Sequence, residues 1–198
     1  MYRRCILLRH AATPGNEEKR YTGCRTDEAL SEAGRRMVLE KRTELLMRIP
    51  ADAALFSSPL RRASETAEIL SDDRQITPLQ EMRETDFGDF EGKNYEELKE
   101  DPAYCAWIDS GGTLPFPGGE SREEVTARSM AGLREALRRT PADRTACIIC
   151  HGGNIMAVMS ALTGRDFYDF QTGNLTGYDL ELETDGERIL VTAYHRLG

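Results

Sequence analysis

LLRHAATPGN, residues 7–16, is the stretch on which the reading of this chain turns. A short apolar run, Cys5 to Leu8, ends abruptly in Arg9-His10, and small residues with a Thr13-Pro14-Gly15 turn follow. The pattern predicts a buried strand that delivers a guanidinium and an imidazole to the edge of a sheet. Ligands of open α/β sheets bind at the carboxyl ends of strands, so the placement suits a reactive site. Arg offers phosphate a planar fork of donors, and His can act as a nucleophile near neutral pH. An isolated Arg-His pair is more often a surface cation beside a satisfied loop histidine. The rest of the chain decides between the two.

Downstream, Ser31 reads as the N-cap of a helix to about Arg48, with Leu30, Ala33, Met37, Val38 and Leu45 near one face and Pro50 beyond its end. Ala53 to Phe56 reads as a second buried strand. Ser58 reads as an N-cap and Pro59 as the first residue of the next helix, with Leu60, Ala63, Ala67 and Leu70 at helical spacing. Arg61 and Arg62 then fall in the first turn, where free N–H groups and the helix dipole favour an anion. Ile76 to Leu79 is a candidate third strand.

Residues from about 84 to 119 are irregular. They contain FGDFEG, a short candidate helix over 94–100, Trp107 and the run GGTLPFPGG. The segment reads as an insertion covering the site, a lid over about 85–120, too short and broken to bury a core of its own. Phe87, Phe90, Tyr95 and Trp107 are assigned to its interior. Ser121-x-x-Glu124 is a capping box opening a helix to about Arg139, with Met130, Leu133 and Leu137 on one face. Thr145 to Cys150 is the clearest buried strand. It ends in His151-Gly152-Gly153, and Ile155, Val158, Met159 and Leu162 follow at helical spacing. A hairpin around Asp185-Gly186, with Ile189 to Tyr194 as its second arm, closes the chain. Strands alternating with helices predict an α/β fold, a three-layer α/β/α sandwich with a mostly parallel sheet, in a single domain.

Composition narrows the function. With 34 acidic and 26 basic residues the net charge is −8, which argues against a nucleic-acid or anionic-membrane surface but leaves room for a small anionic substrate. No stretch reads as a signal peptide or a membrane span, so a cytoplasmic location is expected. Five cysteines without a disulfide framework are read as reduced. Cys147-Ile-Ile-Cys150-His151 spells the haem-attachment signature. The run is apolar and β-prone, however, and residues three apart on a strand face opposite sides, so haem is rejected.

Two segments share one design: an apolar strand ending in a histidine, His10 and His151, followed by small residues. A third strand leads to Arg61 and Arg62. If these strands are neighbours, two imidazoles and the arginines meet at one sheet edge. Such a group suits phosphoryl transfer through a phosphohistidine, with a carboxylic acid to protonate the leaving oxygen.

LLRHAAT, RYTG, SSPLRRASETA, RETDFGDFEG and CHGGNI, in that order, resemble the histidine phosphatase superfamily, also called phosphoglycerate-mutase-like, over Leu7 to about Leu162. The resemblance implies that His10 is the nucleophile, that Arg9 and Arg62 clamp phosphate, that His151 is the second histidine and that Glu84 is the acid. It further implies substrate contacts from Thr13, Asn16, Thr22, Gly23 and Gly152. Arg61 is read as a solvated neighbour, and Asp86, Asp89 and Glu91 compete with Glu84 for the acid role on sequence alone. His195 matches no motif and is treated as structural. Where the family has Arg-His-Gly-Glu-Thr, this chain has Ala11-Ala12-Thr13: a methyl replaces the freedom of a glycine, and one carboxylate is lost.

The short spacing from Glu84 to His151 resembles phosphatases rather than mutases, whose longer insertion holds a bisphosphate. RYTG and PGGES are similar to the α-ribazole phosphatase branch of cobalamin biosynthesis. Phosphoglycerate mutase, a broad-specificity phosphatase and a catalytically inactive binding module are the alternatives. No metal or other cofactor is implied, since neither histidine has a second ligand at metal-site spacing. A small phosphorylated substrate is the expected partner, with no nucleic acid or membrane, and a monomer or homodimer is expected.

Overall fold

The computed structural model describes residues 1–186 and 188–198. In chain order the elements are β1 (Tyr2–Arg9), α1 (Pro14–Glu17), α2 (Glu32–Arg48), β2 (Ala54–Ser57), α3 (Arg61–Ser71), β3 (Ile76–Pro78), α4 (Tyr95–Leu98), α5 (Pro102–Asp109), α6 (Arg122–Arg139), β4 (Thr145–Cys150), α7 (Gly152–Thr163), β5 (Gly177–Thr184) and β6 (Ile189–Leu197). The strands form one sheet in the order β3-β2-β4-β1-β5-β6. β1 to β4 run parallel, and β5 and β6 add an antiparallel edge. The fold is α/β, as expected. Glu187, which follows Asp185-Gly186 in the expected hairpin, lies outside the described residues.

The alternation of β4 divides the core. Ala146, Ile148 and Cys150 pack with Leu133 and Leu137 of α6 and with Ile155 and Val158 of α7. Cys147 and Ile149 face the opposite layer, with Val38 and Leu45 of α2 and Ala63, Ala67 and Leu70 of α3. Cys147 and Cys150 thus point away from each other, which is the period-2 geometry of a strand. Helices cover both faces because a mostly parallel sheet is apolar on both sides. Each fully buried Leu or Ile contributes about 1.5–3 kcal/mol of transfer free energy.

β1 and β4 are neighbours, with Arg9 in register with Cys150. The helix after β1 packs on one face and the helix after β4 on the other. The two chains therefore part at the carboxyl ends of adjacent parallel strands, which opens a crevice at the switch point.

Three local expectations are corrected. α3 begins at Arg61, two residues later than Pro59, because Leu60 stays extended and is its N-cap residue. Its first amide is capped from outside, by the Asp27 carboxylate at 2.7 Å from Arg61 N. The helix foreseen over 94–100 is the single turn α4, and a second helix, α5, follows it with Asp101 as N-cap and Pro102 at its first position. That signal was readable in Asp101-Pro102. The insertion also buries a cluster of its own: Phe90, Leu98, Tyr104 and Trp107, with Tyr21, Phe87 and Phe116 packed against them. Aromatic rings bury so much area each that a few suffice. Tyr95, assigned to this interior, is 60% exposed, and His195 lies on the exposed face of β6.

α2 seats against the loop after β1 at a glycine. A Cβ on Gly34 meets the carbonyl oxygen of Ala12 at 2.1 Å, and the same carbonyl accepts from Ser31 N at 3.0 Å. In an open helix Gly→Ala stabilises by up to about 1 kcal/mol. Here Gly34→Ala is expected to destabilise by about 1–3 kcal/mol, as overpacking does, read as a lower urea midpoint at unchanged slope. Gly132→Ala, whose Cβ meets the flexible Met82 side chain at 3.0 Å, is the milder comparison.

Candidate active site

The sheet edge gathers the sequence-predicted residues from four segments. β1 delivers Arg9 and His10, and β4 delivers His151. His10 N donates to Cys150 O at 3.0 Å, tying the two strand tips together. The imidazoles meet edge to face, centroids 5.0 Å apart, and both are buried.

His10 Nδ1 lies 2.6 Å from Ala11 O. A carbonyl only accepts, so Nδ1 carries the proton and the neutral ring keeps its lone pair on Nε2. Burial, with Arg62 and Arg9 close by, holds His10 well below the usual imidazole range. His151 is lowered likewise, by burial first, then by Arg62, His10 and Arg9. Its Nε2 pairs with Ser58 Oγ at 2.7 Å, while its buried Nδ1 has no partner. Ser58, read above as a helix cap, is instead the residue that orients this ring. The same hydroxyl accepts from Leu60 N at 3.3 Å, one residue short of the helix.

Arg62 is fully enclosed. Its Nη atoms donate to the carbonyls of Thr26 at 2.8 Å, Gly23 at 3.0 Å and Thr22 at 3.2 Å, and its Nε has no partner. Thr22 and Gly23 thus reach the site through the carbonyls that hold Arg62. The Gly23 amide is itself taken by Glu91 at 2.9 Å. Arg9 donates to Thr172 O at 2.5 Å and leaves its Nε unpaired. Burial lowers both guanidiniums and the Glu84 charge opposes it, yet Arg stays cationic. Arg61 is exposed and pairs with Glu65 at 3.3 Å.

Thr13 and Asn16 form the capping box of α1, Asn16 N donating to Thr13 Oγ1 at 3.2 Å and Thr13 N to Asn16 Oδ1 at 3.4 Å. Ala11 is buried in ordinary backbone, with no positive φ, and its amide donates to Thr66 Oγ1 at 3.1 Å. The loop therefore does not use the freedom of a glycine.

Glu84 is 7% exposed. It sits at the start of α7, Oε1 accepting from Thr85 N at 2.8 Å and Oε2 from Gly153 N at 3.5 Å. A Cβ on Gly153 meets Glu84 Oε1 at 2.4 Å and Thr85 Oγ1 at 2.5 Å, whereas one on Gly152 stands 3.8 Å from the Arg9 guanidinium. Gly153, not Gly152, is the glycine that lets the carboxylate approach. Asp86 and Glu91 are engaged elsewhere: Asp86 pairs with Arg25, and Glu91 accepts from Gly23, Arg25 and Thr26. Cys24, Asp86 and Glu91 are the one cluster among the described residues with metal-ligand spacing, and those bonds already occupy its carboxylates.

Sequence reasoning missed the strap at 172–176. Asn174 Nδ2 donates to His10 O at 3.0 Å and to Asn16 Oδ1 at 3.1 Å. Leu175, at φ +53°, donates from its amide to Arg9 O at 3.1 Å, and Arg9 N donates to Thr176 O at 2.9 Å. The signal was the Gly173-Asn174 pair, a turn mark before a strand. Beside Glu84 a cavity of about 540 Å³ opens, with Thr85 and Gly153 at its inner end and Tyr21, Phe87, Trp107 and Phe116 among its walls.

Unpaired donors on Arg9, Arg62 and His151 around a neutral imidazole with a free lone pair suit a tetrahedral oxyanion. Comparison with known proteins agrees. The model of the histidine phosphatase superfamily, branch 1, matches residues 5–194. Glucosyl-3-phosphoglycerate phosphatase of Mycolicibacterium vanbaalenii is 35% identical over 173 residues, covering 82% of this chain and 75% of that one. Two solved structures share the fold at lower identity. Phosphoserine phosphatase from Entamoeba histolytica has a TM-score of 0.76 at 24% identity, covering 97% of this chain and 96% of its own. A "putative alpha-ribazole-5'-P phosphatase" from Escherichia coli has a TM-score of 0.79 at 21% identity, covering 96% and 95%. The chain belongs to the histidine phosphatase superfamily, as a phosphatase of that type. Among the described residues no helix is long and apolar enough to cross a membrane.

Two measurements test this geometry. Gly153→Ala is expected to lower kcat on an alkyl phosphate by about 10²-fold, the cost of displacing a catalytic group by an ångström, with Gly152→Ala close to wild type. The second is stability against pH. His10 and His151 stay neutral when folded but titrate near pH 6.5 when unfolded. Below that pH the unfolded chain binds more protons, so stability falls as pH drops from about 6.5 towards 5. The slope is up to about 1.4 kcal/mol per pH unit for each histidine. Urea unfolding of the His10→Gln/His151→Gln double variant is expected to show a flatter profile over this window.

Proposed function

We propose that the chain is a metal-independent phosphomonoesterase working through a phosphohistidine, one domain over 1–198 with residues of about 85–120 as its lid. The observation that carries this is the His10 ring: the Ala11 carbonyl takes the Nδ1 proton and leaves the lone pair on Nε2, while burial and then the nearby Arg62 and Arg9 keep the ring neutral. The unpaired Nε atoms of Arg9 and Arg62 and the Nδ1 of His151 surround the same space.

His10 Nε2 attacks phosphorus, and the bond from phosphorus to the ester oxygen breaks. The proton of the Glu84 carboxylic acid passes to the departing oxygen, giving the free alcohol. Arg9 and Arg62 neutralise the charge on the equatorial oxygens, and the neutral His151 ring donates to them from Nδ1. Water then gives a proton to the Glu84 carboxylate and attacks phosphorus, the N–P bond breaks, and inorganic phosphate leaves. Thr13, Asn16 and Gly152 border the phosphate site. Thr22 and Gly23 act through Arg62, and Ser58, Thr66 and Asn174 position the reacting residues.

The test is hydrolysis of p-nitrophenyl phosphate in EDTA. Wild type is expected to turn over and His10→Ala to be inactive. Loss of activity in EDTA with recovery on adding a divalent ion overturns the mechanism. Glu84→Gln is expected to slow alkyl phosphates far more than p-nitrophenyl phosphate, whose leaving group needs no proton; equal losses remove Glu84 from the acid role. Bisphosphate-dependent isomerisation of phosphoglycerate, without hydrolysis, favours the mutase alternative. The α-ribazole substrate has the support of one neighbour related in fold alone.

A further inference from the structure

The cavity beside Glu84 is where the alcohol part of the ester has to lie, because Thr85 and Gly153, which hold the carboxylate, form its inner end. Its chemistry is one-sided. Trp107 and Phe116 lie 4.9 Å apart, Phe87 and Phe116 5.0 Å, and Tyr21 and Phe87 5.2 Å, centroid to centroid. Phe167 and Tyr168 supply the facing wall. Among the described residues no Asp, Glu, Lys or His lines it, and its one charged side chain is Arg122. That guanidinium stacks 4.7 Å from the Phe167 centroid and 5.3 Å from that of Tyr168, and donates to Gly112 O at 2.8 Å. No carboxylate pairs with it among the described residues. The indole N–H of Trp107, 8% exposed, is enclosed without an acceptor in the protein.

Taking the phosphohistidine reading as given, we infer that the substrate is a phosphomonoester of a large, flat, aromatic or heteroaromatic alcohol that carries a hydrogen-bond acceptor. The walls exclude the alternatives by their lack of partners. An ammonium group, as in phosphoserine, finds no carboxylate here, and an unpaired buried charge is expensive. The many hydroxyls of a sugar meet walls that are mostly aromatic and aliphatic, with Thr85, Ser121, Tyr168 and Gln171 as the neutral polar side chains besides Tyr21, whose Oη already lies 3.4 Å from Tyr104 Oη. A small ester leaves most of about 540 Å³ unfilled, a volume typical of sites for drug-sized ligands. A flat aromatic group fills it and meets rings at stacking and edge-on distances. An acceptor on that group answers the one donor of these walls that is buried without a partner, Trp107 Nε1, beside the Arg122 guanidinium, which is itself held by the carbonyls of Gly111 and Gly112.

The experiment compares primary alkyl phosphates of matched leaving group: ethyl phosphate, O-phosphoserine and 2-(1-naphthyl)ethyl phosphate, with p-nitrophenyl phosphate as the activity control. The naphthyl ester is expected to exceed ethyl phosphate at least hundredfold in kcat/KM, chiefly through KM, and to exceed O-phosphoserine by more. Trp107→Leu is expected to cut the naphthyl-to-ethyl ratio at least tenfold. Phe167→Ala, on the opposite wall and outside the lid's buried cluster, is expected to do the same and covers the case in which the Trp107 variant misfolds. A ratio near one, or a preference for O-phosphoserine, in an enzyme that hydrolyses p-nitrophenyl phosphate overturns this substrate class and leaves the phosphatase reading intact. No turnover of any ester, p-nitrophenyl phosphate included, overturns the phosphatase reading itself.

Discussion

The buried guanidinium of Arg62, the half-buried one of Arg9 and two buried imidazoles lie side by side at one sheet edge, and like charges in a poorly solvated place repel. Much of the surrounding structure answers that constraint. The arginines remain charged, so the imidazoles give up their protons. The cations are held by neutral carbonyls, those of Thr22, Gly23 and Thr26 for Arg62 and that of Thr172 for Arg9. Carbonyls orient a cation without cancelling its charge, whereas carboxylate partners would leave nothing for an incoming anion. Glu84 is the acid whose charge opposes the lowering of both arginines, and it stands at the start of α7, where it accepts from Gly153 N.

The lid and the phosphate-binding loop are joined by the same economy. Glu91 accepts from Gly23, Arg25 and Thr26, so the segment that carries FGDFEG also fixes the loop whose carbonyls hold Arg62. Tyr21, two residues before Gly23, packs in the lid's aromatic cluster. The proposed leaving-group cavity and the loop that holds Arg62 therefore share one short stretch of chain, residues 21–26.

Elements whose signals are local were legible in the sequence. β4 is an uninterrupted apolar run and appears with the expected ends, and Ser31 and Ser121 cap the helices they were expected to cap. The strand-end histidines were legible because each breaks an apolar run. What failed was decided by distant partners. Ser58 carries the mark of an N-cap, but α3 is capped by Asp27 and Ser58 turns to His151. Tyr95 has an interior-type side chain, but the cluster fills with Tyr104 instead. Gly152 and Gly153 are indistinguishable as letters, and the Glu84 carboxylate, 69 residues away, separates them. Asn174 shows only a turn signal, since its partners lie in the first strand's loop.

The strap at 172–176 has a consequence for the order of assembly. The side-chain amide of Asn174 that holds the His10 carbonyl is made 164 residues after His10. β1 likewise pairs only with β4 and β5, both in the last third of the chain. Until β4 and β5 have left the ribosome, β1 is a strand without these two neighbours, its apolar side chains and edges open. Folding has to wait for long-range closure, which is slow, and through that wait β1 depends on chaperones or on its own brevity to avoid pairing with another chain.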